Sequence, residues 1–263
     1  MNRDTPKPVR EALSREVGRG CPVPGCGSPY LEWHHFDPPW RVREHFEPEG
    51  MIALCSEHHP IADGGAWTKE QLHEFKRNGA KNISEVKGRF SWLRNKLLVV
   101  AGNGFYYETL TILEIGGQPI IWLRRDENGY LLLNIRMLTT SGEPRLVLED
   151  NGWVEKGNPQ EFECQPSGKL IRAKYSNGDK IKVEFIEIES EEAAQKRYPA
   201  GRVSEWNPLI SYLNEKIEFP ITAVEISYVV AGTRISFTPT KTIIGGATFR
   251  SAFSAYCGCA ISL

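Results

Sequence analysis

MIALCSEHHPIADGG, residues 51–65, joins a short apolar run to a turn crowded with metal-binding side chains. The run MIALC reads as a buried strand of about five residues. Cys55 and His58 then offer a thiol and an imidazole from one turn. His59 and Asp63 stand four residues apart, so both side chains project to one face if a helix begins there. About thirty residues earlier, Cys21 and Cys26 flank PVPG, a sequence suited to a tight knuckle. Tetrahedral zinc takes four sulfur or nitrogen ligands, and two short chelating pairs supply them. Cys21, Cys26, Cys55 and His58 are therefore the expected ligands of a closed, structural zinc ion, with His59 as the alternative to His58.

That assignment leaves a second set. YLEWHHFDPPW, residues 30–40, carries His34 and His35 side by side. Neighbours on a strand point to opposite faces. Both imidazoles can serve one site only where the strand ends, and Pro38 and Pro39 supply an end because proline cannot donate to a sheet ladder.

The surrounding composition agrees with a soluble globular chain: 263 residues, 40% hydrophobic, 25% charged and a net charge of −1. No apolar run approaches the roughly 20 residues of a membrane helix. The first 20 residues carry no apolar leader core, so a cytoplasmic location without a membrane partner is expected. Disulfides are not expected among the six cysteines in such a compartment, and the early ones, interleaved with histidines, fit metal binding, whereas Cys257 and Cys259 read as strand-end packing. Charge is unevenly spread. Gly20–Thr68 holds two arginines and seven acidic residues, whereas Lys69–Arg94 holds seven Lys/Arg and three acidic residues. Cations can offset the first stretch and phosphates can meet the second, with Lys76, Arg77 and Lys81 as candidate phosphate contacts.

Two domains are expected, 1–95 and 96–263. In the first, residues 1–19 are a helix-capable lead-in. Residues 20–66 are too poor in long apolar runs to build an adequate core without a metal staple. TKEQLHEFKRN starts with the capping-box spacing Thr68…Gln71. SEVKGRFSWLRNKLL, with Val86, Phe90, Leu93 and Leu97 at helical spacing, predicts a second helix. From about Val99 the chain reads as short β-rich runs separated by turn signals such as ENG, EDNG and SNGD. A mostly antiparallel sandwich or barrel-like sheet follows, with a helical excursion over residues 189–216 and strands resuming at ITAVEISYVV, TRISFTP and GCAISL. The fold class is α+β.

In order and spacing, the paired cysteines, the HH that ends a strand, MIALC, and CSEHHPIADGG followed by a helix resemble the HNH endonucleases of the ββα-metal fold. The resemblance covers roughly residues 20–80. It implies a metal-dependent nuclease acting on the phosphodiester bonds of DNA. His35 matches the general base, and His34 and His59 match ligands of a catalytic divalent ion, magnesium, manganese or another. Asp63 is a plausible third ligand from its place on the helix. A restriction or phage-defence setting fits such a module fused to a second domain. The family's middle Asn, which fixes the loop bearing the base, falls at Gly50 here; His45, Glu47 or Glu49 could take over, although His45 reads first as a surface-loop residue. If none does, the unit is a zinc-stapled nucleic-acid-binding module without cleavage, or a purely structural attachment to a β domain that binds something else. The β domain carries no motif that names a ligand; sensing, an unidentified ligand or protein, or homo-oligomer assembly are the expectations there.

Overall fold

The computed structural model describes residues 4–82, 86–165 and 167–263, without the side chains of residues 80–82. Helix and strand are mixed, and most strand pairs are antiparallel. The N-terminal unit begins with helix α1 (Lys7–Glu16). Strand β1 (Leu31–His35) follows and pairs antiparallel with β2 (Met51–Cys55), with His34 opposite Ile52 and His35 opposite Met51. Helix α2 (His58–Asp63) and helix α3 (Lys69–Asn82) complete it. All five residues of β2 are buried, which accounts for the unbroken apolar run MIALC. They form one cluster with Leu13 and Val17 at and just beyond the end of α1, Leu31 and Phe36 around β1, and Leu72 on α3. This core is small, with twelve buried residues among those described.

The capping box forms as the spacing predicts. Thr68 N–H donates to Gln71 Oε1 at 2.9 Å, and Gln71 N–H donates to Thr68 Oγ1 at 3.3 Å. The predicted helix over SEVKGRFSWLRNKLL does not form in its described part. Val86–Arg89 is strand β3 instead, and no helix follows it up to Leu97. Gly88 shows why. It lies opposite Trp153 in the sheet, and a Cβ on Gly88 would stand 2.5 Å from the indole ring. Tertiary pairing with a distant tryptophan overrides the local helical period.

The remaining strands are β4 (Leu98–Ala101), β5 (Gly104–Tyr107), β6 (Thr111–Ile115), β7 (Gln118–Arg125), β8 (Leu131–Arg136) and β9 (Val147–Glu149). They continue with β10 (Gly152–Glu155), β11 (Glu161–Cys164), β12 (Leu170–Lys174) and β13 (Lys180–Ile188). Helices α4 (Glu191–Arg197) and α5 (Trp206–Ile210) occupy the expected excursion. The chain closes with β14 (Ile221–Val230), β15 (Ile235–Thr238), β16 (Lys241–Ile244), β17 (Ala247–Phe249) and β18 (Ala252–Ala255). GCAISL contributes only the bridges at Cys259 and Ser262, not the strand its sequence predicts.

One sheet runs β3-β10-β9-β8-β7-β6, and a larger one runs β11-β12-β13-β14-β15-β16-β17. Strand β4 joins the larger sheet through parallel pairing with β14, and β5 pairs parallel with β18. The sheets share a core in which Ile121, Leu133 and Trp153 meet Ile171, Val183 and Val224, so the β unit is a sandwich and not a closed barrel. A second cluster, centred on Phe105, Trp206 and Ile210, seats α4 and α5 on the β4, β5 and β14 strands. The N-terminal unit docks on this sandwich beside its cysteine knuckle. Arg19 Nη1–H donates to Asn158 Oδ1 at 3.0 Å, and the Tyr30 hydroxyl donates to the Arg89 carbonyl at 2.8 Å.

Candidate metal centres

The knuckle at residues 21–28 is a backbone cage. Cys26 N–H donates to the Val23 carbonyl at 3.0 Å, Gly27 N–H to the Cys21 carbonyl at 3.1 Å, and Cys21 N–H to the Ser28 carbonyl at 2.8 Å. It delivers two thiols to the end of β2, where Cys55 and the first residue of α2, His58, wait. Cys26 Sγ lies 3.7 Å from Cys55 Sγ. His58 Nδ1 lies 3.2 Å from Cys55 Sγ and 3.4 Å from Cys21 Sγ. All four ligand atoms fall within 4.8 Å of one another. A disulfide needs sulfurs about 2.05 Å apart, so the cysteines are free thiols. A tetrahedron with bonds of about 2.3 Å to sulfur and 2.0 Å to nitrogen has edges of roughly 3.5–3.8 Å, and the spacings of 3.2, 3.4 and 3.7 Å lie in or a little below that range. Burial pushes the Cys21 and Cys26 thiols up, because a thiolate there has lost its water. A bound cation restores the missing countercharge, so the donor set fits zinc.

His34, His59 and Asp63 form a second cluster whose ligand atoms also lie within 4.8 Å of one another. His34 Nδ1 is 3.2 Å from Asp63 Oδ1, and His59 Nε2 is 3.9 Å from Asp63 Oδ2. The side chains grade outward: His34 is 7% exposed, His59 24% and Asp63 60%. The cluster is thus anchored in the core and open on one side, as a site with exchangeable positions must be. Burial lowers the His34 pKa, partly offset by Asp63, and holds the imidazole in its neutral, ligand-competent form. His58 and His59 therefore divide between the two clusters, one facing the cysteines and one facing His34.

His35 ends β1 and is 8% exposed. Its ring meets Trp40 edge-on at 4.7 Å. Its Nε2 lies 3.0 Å from the His45 carbonyl, an acceptor, so Nε2 carries a proton and donates it there. With His34, His59 and Asp63 it lines one hollow of about 490 Å³. Both members of the HH pair thus reach a common space at the strand end.

The basic candidates fare differently. Lys76 is a structural residue: its ammonium sits 3.0 Å from Glu16 and donates to the Met51 carbonyl at 3.0 Å and to the Pro48 carbonyl. That commitment removes it from the candidate phosphate contacts. Arg77 is exposed on α3. The Lys81 side chain lies outside the described residues. Two arginines that the sequence reading passed over line the hollows at the metal cluster: Arg41 in that of about 490 Å³ and Arg10 in the adjoining one of about 680 Å³. Glu32 was also passed over. Its Oε2 accepts from His59 Nδ1 at 2.8 Å, and its place two residues before His34, on the same face of β1, was the available signal. His45, expected on a surface loop, is buried at 7% exposure.

Among the described residues, no helix is long and apolar enough to cross a membrane. Comparison with family models, with curated proteins and with solved structures returned no match for this chain.

Proposed function

We propose that the chain is a metal-dependent endonuclease of the HNH type that hydrolyses phosphodiester bonds in DNA. The observation that carries this reading is the convergence of His34, His59 and Asp63 beside His35, next to a three-cysteine, one-histidine cluster, at the junction of a two-stranded hairpin and a short helix. Zinc in the cysteine cluster would be structural, because all four positions are filled by protein. Magnesium, manganese or another divalent ion fits the second cluster, whose imidazole and carboxylate donors leave positions open. Bound there, the ion supplies positive charge against the phosphate and the leaving 3′ oxygen.

The chain's own residues do the rest. His35 accepts a proton from water as the water oxygen bonds to phosphorus. The bond from phosphorus to the 3′ oxygen breaks, and a neutral imidazole suits that proton transfer near pH 7. Glu32 holds His59 with Nδ1–H engaged, which turns Nε2 toward Asp63. Arg10 and Arg41 flank the hollow and can meet phosphates on either side of the cut. The test is supercoiled plasmid incubated with Mg²⁺, with Mn²⁺ and with chelator. Nicking in the metal arms alone supports the reading. DNA binding without nicking in any arm replaces it with a non-cleaving nucleic-acid module.

A further inference from the structure

His45 belongs neither to the metal clusters nor to the hydrophobic core, yet it is almost fully buried. Its imidazole spans two backbone positions. Glu47 N–H donates to His45 Nδ1 at 3.2 Å, which leaves the ring proton on Nε2, and Nε2–H donates to the Pro38 carbonyl at 2.9 Å. One side chain therefore ties the turn after β1 to the segment that enters β2. The ring also fills space that residue 50 leaves empty. A Cβ at Gly50 would stand 2.9 Å from His45 Cε1 and 2.0 Å from the Asp37 carbonyl oxygen. Gly50 itself holds the end of β1, because its carbonyl accepts from Phe36 N–H at 3.0 Å and from Asp37 N–H at 3.1 Å. The backbone carbonyl of His45 meanwhile accepts the Nε2–H of His35, and the two rings meet edge to face at 5.2 Å.

We infer that His45 is a positioning residue for His35: its ring, bridging Pro38 and Glu47 over the bare Gly50, fixes the carbonyl that holds the His35 Nε2–H and so sets the orientation of the His35 ring. This rests on the nuclease reading for its catalytic consequence, but its structural content does not. A side chain with both an acceptor and a donor, about 2 Å apart on one rigid ring, is needed to bridge two backbone groups at once. Gln reproduces the Nε2 donor and Asn the Nδ1 acceptor, so each keeps one of the two bonds.

The experiment follows the ring nitrogens of His35 by ¹⁵N NMR in the full chain, loaded with zinc, for the unsubstituted protein and for His45→Ala, His45→Gln and His45→Asn. The His35 Nε2–H tautomer should dominate in the unsubstituted protein, with exchange at least tenfold slower than in His45→Ala, and with Gln and Asn between them. Identical His35 tautomer and exchange in all folded variants would overturn the inference. If His45→Ala does not fold, the Gln and Asn variants decide it by the same reading. Plasmid nicking adds the catalytic arm. His45→Ala should lower kcat by about 10²-fold with KM within twofold, and should cost nothing further in a His35→Ala background. An equal loss in both backgrounds would mark His45 as structural only and overturn its role through His35. Absence of nicking in every protein would remove the nuclease reading, while the NMR result still decides the positioning.

Discussion

Glu32 Oε2 lies 2.8 Å from His59 Nδ1, across the gap between β1 and α2. A carboxylate behind a metal-facing imidazole fixes the ring's tautomer and raises its basicity, and loss of such a partner costs metal affinity roughly 10–100-fold. Glu32→Gln should therefore weaken Mn²⁺ binding at the His34–His59–Asp63 cluster by about that factor while leaving zinc content unchanged. Isothermal titration with Mn²⁺ on the zinc-loaded protein measures it.

On the zinc reading, the cysteine cluster should carry much of the stability of the N-terminal unit. Its core is small, and of the knuckle thiols Cys21 is buried and Cys26 half-buried. One zinc per chain is expected by elemental analysis. Cys26→Ser, or a strong chelator, should melt α1–α3 while the β sandwich keeps its far-ultraviolet signal. Zinc in comparable small units supplies an apparent ~10–16 kcal/mol of folding free energy, so partial retention of the unit's structure is not expected.

Gly50 tolerates no side chain. With the would-be Cβ 2.0 Å from the Asp37 carbonyl oxygen, Gly50→Ala should destabilise the unit by about 1–3 kcal/mol. Gly50→Asn should fare no better, even though Asn is what the family pattern carries at this point. Denaturant titration of both variants checks this, and a Gly50→Asn protein as stable as the unsubstituted one would show the turn to be looser than it looks.

In the β unit, Asp179 is fully buried and accepts from Thr139 at 2.6 Å, Asn177 at 2.8 Å, Arg145 Nε at 3.0 Å and Ala231 N–H at 2.8 Å. Burial alone raises its pKa, but these donors outweigh it and the net shift is downward. A carboxylate lowered on folding contributes stability above its unfolded pKa of about 3.9 and loses it as pH falls through the folded value. Asp179→Asn should destabilise the β unit at pH 7, because Arg145 loses its buried partner charge and keeps only the exposed Glu143. The gap should narrow below about pH 4, which urea melts at pH 7, 5 and 3 would read.

Local signals in the sequence served well. The Thr68–Gln71 capping box, the strand MIALC and the spacing of Cys21, Cys26, Cys55 and His58 each act over a few residues, and each is found in the fold. What failed depends on distant partners. Val86 and Phe90 keep a helical period, but Gly88 is committed to Trp153, some sixty residues away. Lys76 looks like one charge among many until Glu16 and the Met51 carbonyl surround it. His45 has no local mark of burial, since its partners Pro38 and Glu47 are ordinary backbone groups brought together only when β1 and β2 pair. Arg10, from α1, lines a hollow shared with His35, His59 and Asp63.

The central claim is that His35 acts as base beside a separate metal cluster. The most direct measurement is single-turnover plasmid nicking at saturating Mn²⁺ for the unsubstituted protein and His35→Ala, with Mn²⁺ affinity measured on both. The expected result is a loss of about 10²–10⁴-fold in rate with Mn²⁺ affinity unchanged. Equal nicking by the two proteins, with Mn²⁺ bound in each, would contradict it.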